Sequence, residues 1–196
     1  VMGGQDWERW MMLLHKEGLL SENAVTVAFS YIGPDYTQAI YRAGTLGKAK
    51  EHLEETGRRL NEMLGSLDGH AYVSVNKALV TKSSAVIPIV PLYIAILYNV
   101  MKKKNLHEVA VHQMYRLFAD RLYRTPGFTN RNVPVDDAGR IRLDDYEMDP
   151  AVQQEVRGIW ENVSNENLVE AADVRGFWNE FVGLSGFSSS TTDEAF

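Results

Sequence analysis

Val25-Thr-Val-Ala-Phe-Ser-Tyr31 is the stretch that decides the fold, because its β-branched and aromatic residues predict a strand. Gly33-Pro34-Asp35 breaks the chain after it, and a long polar helix then leads to a second strand-like run at residues 71–76. The apolar stripe expected on the buried side of that helix is Ala49, Leu53, Leu60 and Leu64. The order strand, helix, strand predicts a parallel βαβ unit with a right-handed crossover.

Two further helices are expected outside this unit, one after the turn at residues 3–6 and one over residues 106–123. The face around Trp7 and Trp10 would be an exposed apolar patch, so we expect a partner to cover it. The residues expected to face inward are Trp7, Trp10, Met11 and Leu14 in the first helix, and Met114, Leu117, Phe118 and Leu122 in the second.

The carboxyl-terminal third is expected to hold a short hairpin and two helices. Residues 133–143 predict the hairpin, and Asp149-Pro150 begins a helix with proline at its first position. The last helix carries three aromatic residues, Phe177, Trp178 and Phe181. Residues 188–196 are rich in serine and threonine and are expected to form a disordered tail.

Residues 83–101 carry no charge and precede Lys102-Lys103-Lys104, which leaves two interpretations open. The first is a spanning helix with a cationic flank. The second is a buried helix or the wall of an acyl pocket, and it is favoured because Pro88 and Pro91 interrupt the run. We therefore expect the protein not to be transmembrane.

Bulk composition narrows the classes of function. The 196 residues suit one domain of ordinary globular composition, with 45% hydrophobic and 23% charged residues. A formal net charge of −6 gives no electrostatic support to a nucleic-acid partner. Cysteine is absent, which excludes disulfides and thiolate chemistry. The chain begins at Val1, so a processed or truncated start is expected and the location in the cell stays unknown.

The motif that carries chemistry is Tyr41-Arg-Ala-Gly-Thr-Leu-Gly-Lys-Ala-Lys50. A tyrosine near a fixed ammonium can keep its proton at neutral pH yet release it to a developing anion, because positive charge stabilises the phenolate. That chemistry is typical of a reductase active site. Lys50 has an alternative interpretation as half of a surface ion pair with Glu54, four residues further on.

The spacing of this motif conflicts with one continuous helix. Nine residues at about 100° each would place Tyr41 and Lys50 on opposite sides, whereas Lys48 would share the face of Tyr41. The conflict disappears if Gly44 and Gly47 mark a non-helical start that lets Tyr41 fold back over the lysine. We therefore predict irregular backbone somewhere between Tyr41 and Gly47.

Together with other segments, this motif resembles the bacterial and euglenoid trans-2-enoyl-CoA reductases. The similarity covers residues 1–187 in order, and the Tyr-x8-Lys spacing separates this family from short-chain reductases with Tyr-x3-Lys. The matching segments are Val1–Trp10, Ser30-Tyr-Ile-Gly33, Tyr41-x8-Lys50, Val73-Ser-Val-Asn-Lys-Ala-Leu-Val-Thr81, Tyr115–Tyr123 and Arg140–Tyr146.

The resemblance implies an α/β fold, namely part of a Rossmann-like parallel sheet with substrate-covering helices. No Gly-x-Gly-x-x-Gly follows a strand, so the N-terminal dinucleotide-binding half is missing. That half, in the same polypeptide or in an associated chain, is an expected partner. This chain alone is expected to be insufficient for activity.

The activity that the resemblance implies is reduction of trans-2-enoyl-CoA to acyl-CoA in fatty-acid or wax-ester synthesis. The cofactor would be NADH or NADPH, the substrate an enoyl-CoA, and no metal is implied. A euglenoid protein would be mitochondrial and a bacterial one cytoplasmic. The competing hypothesis is a catalytically idle reductase fragment that acts as a structural or acyl-binding subunit of a larger assembly.

The resemblance implies a role for each residue of this chain that matches a functional residue of the family. Tyr41 matches the proton donor, and Lys50 matches the lysine that binds the nicotinamide nucleotide and lowers the pKa of the tyrosine. Tyr31 matches the tyrosine that contacts the acyl thioester, although a strand-end aromatic packing on a helix is nearly as well supported. The segment whose backbone and threonine meet the nicotinamide matches Leu79, Val80 and Thr81.

Two other patterns are interpreted as carrying no site. His107 and His112 are five residues apart, so on a helix they diverge by about 140° and do not easily share a metal. The acidic pairs Asp136-Asp137 and Asp144-Asp145 are expected to be solvated residues around the hairpin turn.

Overall fold

The computed structural model describes residues 3–123 and 133–187. The chain divides into two compact units. The first comprises residues 1–76 and 111–144, and the second comprises residues 77–110 and 145–196. The expected tail at residues 188–196 lies outside the described residues.

The first unit is built on a three-stranded parallel sheet in the order β1-β2-β3. β1 (Val25–Ser30) and β2 (His70–Val75) pair along their whole length and are joined by a long helix, α3 (Thr45–Leu64). The predicted parallel βαβ unit is therefore confirmed. β2 is the central strand, and from Ala71 onward every one of its residues is buried.

The third strand corrects the predicted hairpin. β3 (Arg140–Arg142) pairs in parallel with β2, with Val73 opposite Arg140. The turn before it does exist, since Gly139 has a φ of +77° and the Asp136 N–H donates to the Arg140 carbonyl at 2.9 Å. The turn leads to the open edge of a buried central strand, where unpaired backbone groups accept a third strand.

Both faces of the sheet carry a core, because neighbouring residues of β2 point to opposite sides. α1 (Gln5–Lys16) and α3 cover one face, and α5 (Ala110–Arg116) continues into a π-helical turn at Leu117–Leu122. The core on the α1 and α3 side includes Met11, Leu60, Leu64 and Ala71. The opposite core includes Tyr72, Leu117, Leu122, Val133, Ile141 and Leu143.

Two aromatic residues predicted to face inward do not. Phe118 is 51% exposed, because the π-helical turn brings Leu117 and Leu122, five residues apart, to the inward face. Trp10 is 64% exposed and lies about 60° from Trp7 around α1. The buried stripe of α1 is therefore narrower than predicted.

Asn61 joins α3 to β2 through two hydrogen bonds, which lead to a prediction for the free energy of unfolding. Its side-chain amide donates to the Ala71 carbonyl and accepts from the Ala71 N–H, both at 2.8 Å. Replacing Asn61 by Ala leaves both backbone groups of a buried residue unpaired and is expected to cost about 3 kcal/mol of unfolding free energy. Urea unfolding measures this cost. Glu62→Ala, at an exposed position of the same helix, should cost under about 0.5 kcal/mol, and equal stability of the two variants would contradict the assignment.

The second unit is helical. α4 (Val90–Lys103) packs against α6 (Pro150–Asn162) and α8 (Val174–Gly183), and a short α7 (Leu168–Ala171) precedes α8. Asp149 caps α6 by accepting from the N–H groups of Ala151 and Val152, which confirms the predicted helix start. α4 is the helix of the uncharged run, and in the described ranges no helix has the length and apolarity needed to cross a membrane.

Candidate functional site

The candidate site begins where β1 ends. Tyr31 directly follows β1, and Gly33, with a φ of +73°, turns the chain back towards it. A Cβ at Gly33 would lie 2.8 Å from the Tyr31 hydroxyl oxygen and would collide with the Thr37 hydroxyl. A glycine is therefore needed for this tight turn at the carboxyl end of a parallel strand, which is where open α/β sheets bind ligands.

The backbone between Tyr41 and Lys50 is broken, as the sequence predicted. α2 (Gln38–Tyr41) ends at the tyrosine, Gly44 is extended, and α3 starts at Thr45. Gly47 lies so close to the Arg42 carbonyl that a Cβ there would collide with it. The glycines thus give Tyr41 a direction that one continuous helix would not allow.

This break brings the two tyrosines and the lysine together. The rings of Tyr31 and Tyr41 meet edge to face with centroids 4.8 Å apart. The Lys50 Nζ lies 5.7 Å from the centroid of the Tyr41 ring and donates to the Ser30 hydroxyl at 3.4 Å. Tyr41 is 7% exposed. An ammonium, two phenols and a hydroxyl thus share one side of the first unit.

The surroundings of Lys50 lower the pKa of its ammonium group. Burial and, next, the nearby Arg42 charge lower the pKa of Lys50 to about 8, although Glu54 opposes the shift. Glu54 lies 3.6 Å from an Arg42 nitrogen and 3.1 Å from an Arg140 nitrogen, so its ion pairs are with these arginines. Lys48, the geometric alternative, is exposed and pairs with Glu51 at 2.7 Å.

The residues predicted to meet the nicotinamide lie in the second unit. Leu79 is half-buried, Val80 is buried and Thr81 is exposed. The Ser84 hydroxyl donates to the Leu79 carbonyl and accepts from the Thr81 N–H, both at 2.8 Å, which closes the segment into a compact turn. These contacts define the shape of the segment within its own unit.

Sequence reasoning missed Ser30 and misjudged two aspartates. Ser30 could have been noticed as the last residue of the strand that leads to Tyr31. Asp144 is 1% exposed and binds Arg142 at 2.7 and 2.6 Å, and Asp136 lies 2.8 Å from Arg140. They are therefore buried or part-buried ion-pair partners of β3, because its two arginines sit beside them. Within residues 3–123 and 133–187, no group of three His, Asp or Glu side chains could hold a metal ion.

Comparison with known proteins decides the family. A family model described as "Trans-2-enoyl-CoA reductase catalytic region" matches residues 1–123, more than half of the chain. The chain belongs to the trans-2-enoyl-CoA reductase family. A second family model, "Enoyl reductase FAD binding domain", matches residues 135–194.

Relatives of this reductase chain are found in several bacteria. The trans-2-enoyl-CoA reductase [NADH] of Treponema denticola is 52% identical over 187 residues, covering 95% of this chain and 46% of the relative. The enoyl-[acyl-carrier-protein] reductase [NADH] of Cytophaga hutchinsonii is 49% identical over 193 residues, covering 98% and 48%. This chain thus spans about half the length of the curated relatives that it matches.

A solved relative extends the comparison to the fold. The crystal structure of the Clostridium acetobutulicum trans-2-enoyl-CoA reductase in complex with NAD matches with a TM-score of 0.89 at 48% identity. The match covers 96% of this chain and 48% of that one. The three parallel strands and flanking helices therefore form part of a Rossmann-like enoyl reductase fold.

The two cofactors named by these comparisons fit the described residues differently. The Lys50 ammonium and the Ser30 hydroxyl are hydrogen-bond donors suited to ribose hydroxyls of a nicotinamide nucleotide. A flavin diphosphate would need donors in the second unit, where a groove of about 1100 Å³ lies beside α4, α7 and α8. There the start of α8 is occupied by the Asp173 carboxylate, which also binds Lys102 at 2.5 Å. A negative charge therefore stands where the start of α8 would otherwise receive a flavin diphosphate, and no step involves FAD.

Proposed function

We propose that this chain carries the proton donor and the nicotinamide-side lysine of an NADH-dependent trans-2-enoyl-CoA reductase. The observation that carries the proposal is the break at residues 42–44, which lets Tyr41 lie beside Lys50 despite a nine-residue separation. The names of the relatives, each an enoyl thioester reductase with NADH, support the same reaction and the choice of NADH over NADPH.

Bound NADH supplies a hydride to the β-carbon of the enoyl thioester. The residues of this chain then act on the negative charge that develops on the substrate. Tyr41 donates its proton to the enolate, and the Lys50 ammonium stabilises the phenolate that remains. Tyr31, in edge-to-face contact with Tyr41, holds the thioester against the proton donor. Leu79, Val80 and Thr81 contact the nicotinamide.

An activity assay tests this proposal on the complete polypeptide that carries these residues, because the relatives are about twice as long. Crotonyl-CoA should drive the loss of NADH absorbance and yield butyryl-CoA, identified by mass spectrometry. NADPH at the same concentration should give a much lower rate. Butyryl-CoA is the matched control substrate, since it lacks the double bond and should consume no NADH.

One outcome would overturn the proposed reaction, and another would change only the carrier of the acyl group. A folded protein that binds NADH but reduces neither crotonyl-CoA nor the crotonyl thioester of an acyl-carrier protein is not an enoyl reductase. Activity restricted to the carrier-protein thioester would keep the reaction and replace coenzyme A as the carrier, as the name of the Cytophaga hutchinsonii relative suggests.

A further inference from the structure

The segment that leads from β2 to Thr81 is hydrogen-bonded to buried polar side chains of the second unit. The Ala78 N–H donates to Glu147 Oε2 at 2.6 Å, and the Lys77 ammonium donates to the Ala78 carbonyl at 3.0 Å. Glu147 is fully buried and Lys77 is 2% exposed. Both polar groups of the Ala78 peptide residue are therefore fixed by charged side chains, and hydrogen bonds to charged groups are the stronger kind.

Glu147 is itself held rigidly. The Tyr93 hydroxyl donates to Glu147 Oε1 at 2.5 Å, and the Gln153 amide donates to the Glu147 carbonyl at 2.6 Å. Tyr93 is 1% exposed, so this arrangement is shielded from water. Each oxygen of this buried carboxylate accepts a hydrogen bond, so removing the carboxylate would leave the Ala78 N–H and the Tyr93 hydroxyl without this acceptor.

The ring of Tyr98 lies against the Lys77 ammonium, which is the second charged group on the Ala78 peptide. The Tyr98 hydroxyl donates to Glu180 Oε2 at 2.7 Å. Tyr98 is fully buried, and the Lys77 Nζ lies 4.6 Å from the centroid of its ring.

Glu147 and Lys77 fix both polar backbone groups of Ala78, and the segment becomes more exposed further along. Ala78 and Val80 are buried, whereas Leu79 is half-buried and Thr81 is exposed. Nothing in the proton transfer requires Glu147 or Lys77 to touch substrate. Their common partner is the backbone of the segment assigned to the nicotinamide, which would lose its fixed shape without them.

We propose that Glu147 is a positioning residue that, together with the Lys77 ammonium, fixes the backbone at Ala78 so that Leu79 and Thr81 meet the nicotinamide. The inference rests on the proposed function, because it takes the contact of this segment with the cofactor from there. Precise placement of a binding segment by a rigid supporting shell lowers the cost of ordering it when the ligand binds.

The test measures NADH affinity without turnover, by fluorescence titration of the complete polypeptide. Glu147→Ala should raise the dissociation constant of NADH about tenfold, since a charge-assisted backbone hydrogen bond is lost. Glu147→Gln should restore most of the affinity, because its amide oxygen can accept from Ala78 and its amide nitrogen can donate to the Tyr93 hydroxyl. The KM for crotonyl-CoA should stay within about twofold in both variants, since Glu147 is not assigned to the acyl thioester.

Asp173→Asn is the matched control. Asp173 also accepts from a backbone N–H of this unit, that of Gly176 at 2.8 Å, but its ion pair is with Lys102 and its cap is on α8 rather than on residues 78–81. It should lower the thermal unfolding temperature without changing NADH affinity. If Glu147→Ala behaves in the same way, Glu147 is only structural and the inference fails.

Tyr93→Phe is the second variant, for the case that Glu147→Ala does not fold. It keeps the ring but removes the hydroxyl that donates to Glu147 Oε1, so it should weaken NADH binding by about threefold. Unchanged NADH affinity in Tyr93→Phe and in Glu147→Ala, or in Tyr93→Phe alone where Glu147→Ala does not fold, would overturn the positioning role. If the proposed function is wrong, the unmodified protein will not reduce crotonyl-CoA. If only the positioning role is wrong, the unmodified protein will still reduce it.

Discussion

Replacing Tyr41 by Phe is expected to lower the kcat for crotonyl-CoA reduction by about 10³-fold, within the 10²–10⁴ range of general acid catalysis. The substitution removes one hydroxyl and keeps the ring, so the edge-to-face contact with Tyr31 and the contact with the Lys50 ammonium remain. Steady-state kinetics with saturating NADH measures the loss. NADH affinity should be unchanged, because the hydroxyl is assigned to the substrate rather than to the cofactor.

Tyr72→Phe is the control for losing a tyrosine hydroxyl from the same unit. Tyr72 lies in the core on the π-helical side of the sheet, and burial raises its pKa to about 12. The variant should keep kcat within about twofold of the unmodified enzyme, whatever stability it loses. Near-normal turnover in Tyr41→Phe would remove the assigned role of Tyr41 as proton donor.

The part of the fold that the sequence predicts well is the part specified by local pattern. β1 and β2 are runs of β-branched and aromatic residues separated by a periodic helix, and this order by itself implies parallel pairing. β3 has three residues, Arg-Ile-Arg, preceded by turn signals. Its partner is β2, about 67 residues earlier by its register, so local pattern cannot reveal the pairing.

The π-helical turn shows a second limit of pattern reasoning. A regular helix with 3.6 residues per turn predicts that Leu117, Phe118 and Leu122 face inward together. The wider turn groups Leu117 with Leu122 alone and turns Phe118 outward. Only the tertiary contacts with the sheet can favour this rarer helix, and they are absent from a single-sequence pattern.

The candidate site also has features that local sequence predicts and features that depend on residues far away in the chain. The break between Tyr41 and Lys50 was predictable, because Gly44 and Gly47 are neighbours of the motif and their conformational freedom is intrinsic. The electrostatics of Lys50 were not, since Arg140, which holds Glu54, lies 86 residues away from that carboxylate. The anchor at Glu147 was likewise hidden, because its backbone partner Ala78 is 69 residues away.

Replacing Lys50 by Met is expected to lower kcat/KM by about 10²-fold, the second largest effect. Met keeps most of the side-chain volume but removes the charge that stabilises the Tyr41 phenolate and the donor assigned to the nicotinamide nucleotide. NADH affinity should fall together with kcat, unlike in Tyr41→Phe. Lys48→Met is the control, because Lys48 is exposed and pairs only with Glu51 among the described side chains; it should change kcat/KM by less than about twofold.

The pH dependence separates the charge of Lys50 from its shape. With a pKa of about 8, the ammonium is lost as pH rises through this value, so kcat/KM, which reports the free enzyme, should fall above about pH 8. Lys50→Arg keeps a permanent cation, and the decline near pH 8 should disappear even if the maximal rate is lower. A decline that persists unchanged in Lys50→Arg would contradict the assignment.

The free energy of unfolding should rise with pH above about pH 8, while kcat/KM falls. Unfolding is therefore not the cause of the fall in kcat/KM. The unfolded chain has a Lys50 pKa near 10.5, so between about pH 8 and 10.5 the unfolded state binds more protons than the folded state. The unfolding free energy therefore rises with pH in this window. Lys77, whose pKa burial also lowers to about 8, contributes with the same sign. Urea unfolding at about pH 8 and at about pH 10 should show greater stability at the higher pH while kcat/KM falls, because the proton on Lys50 destabilises the fold but is needed for the reaction.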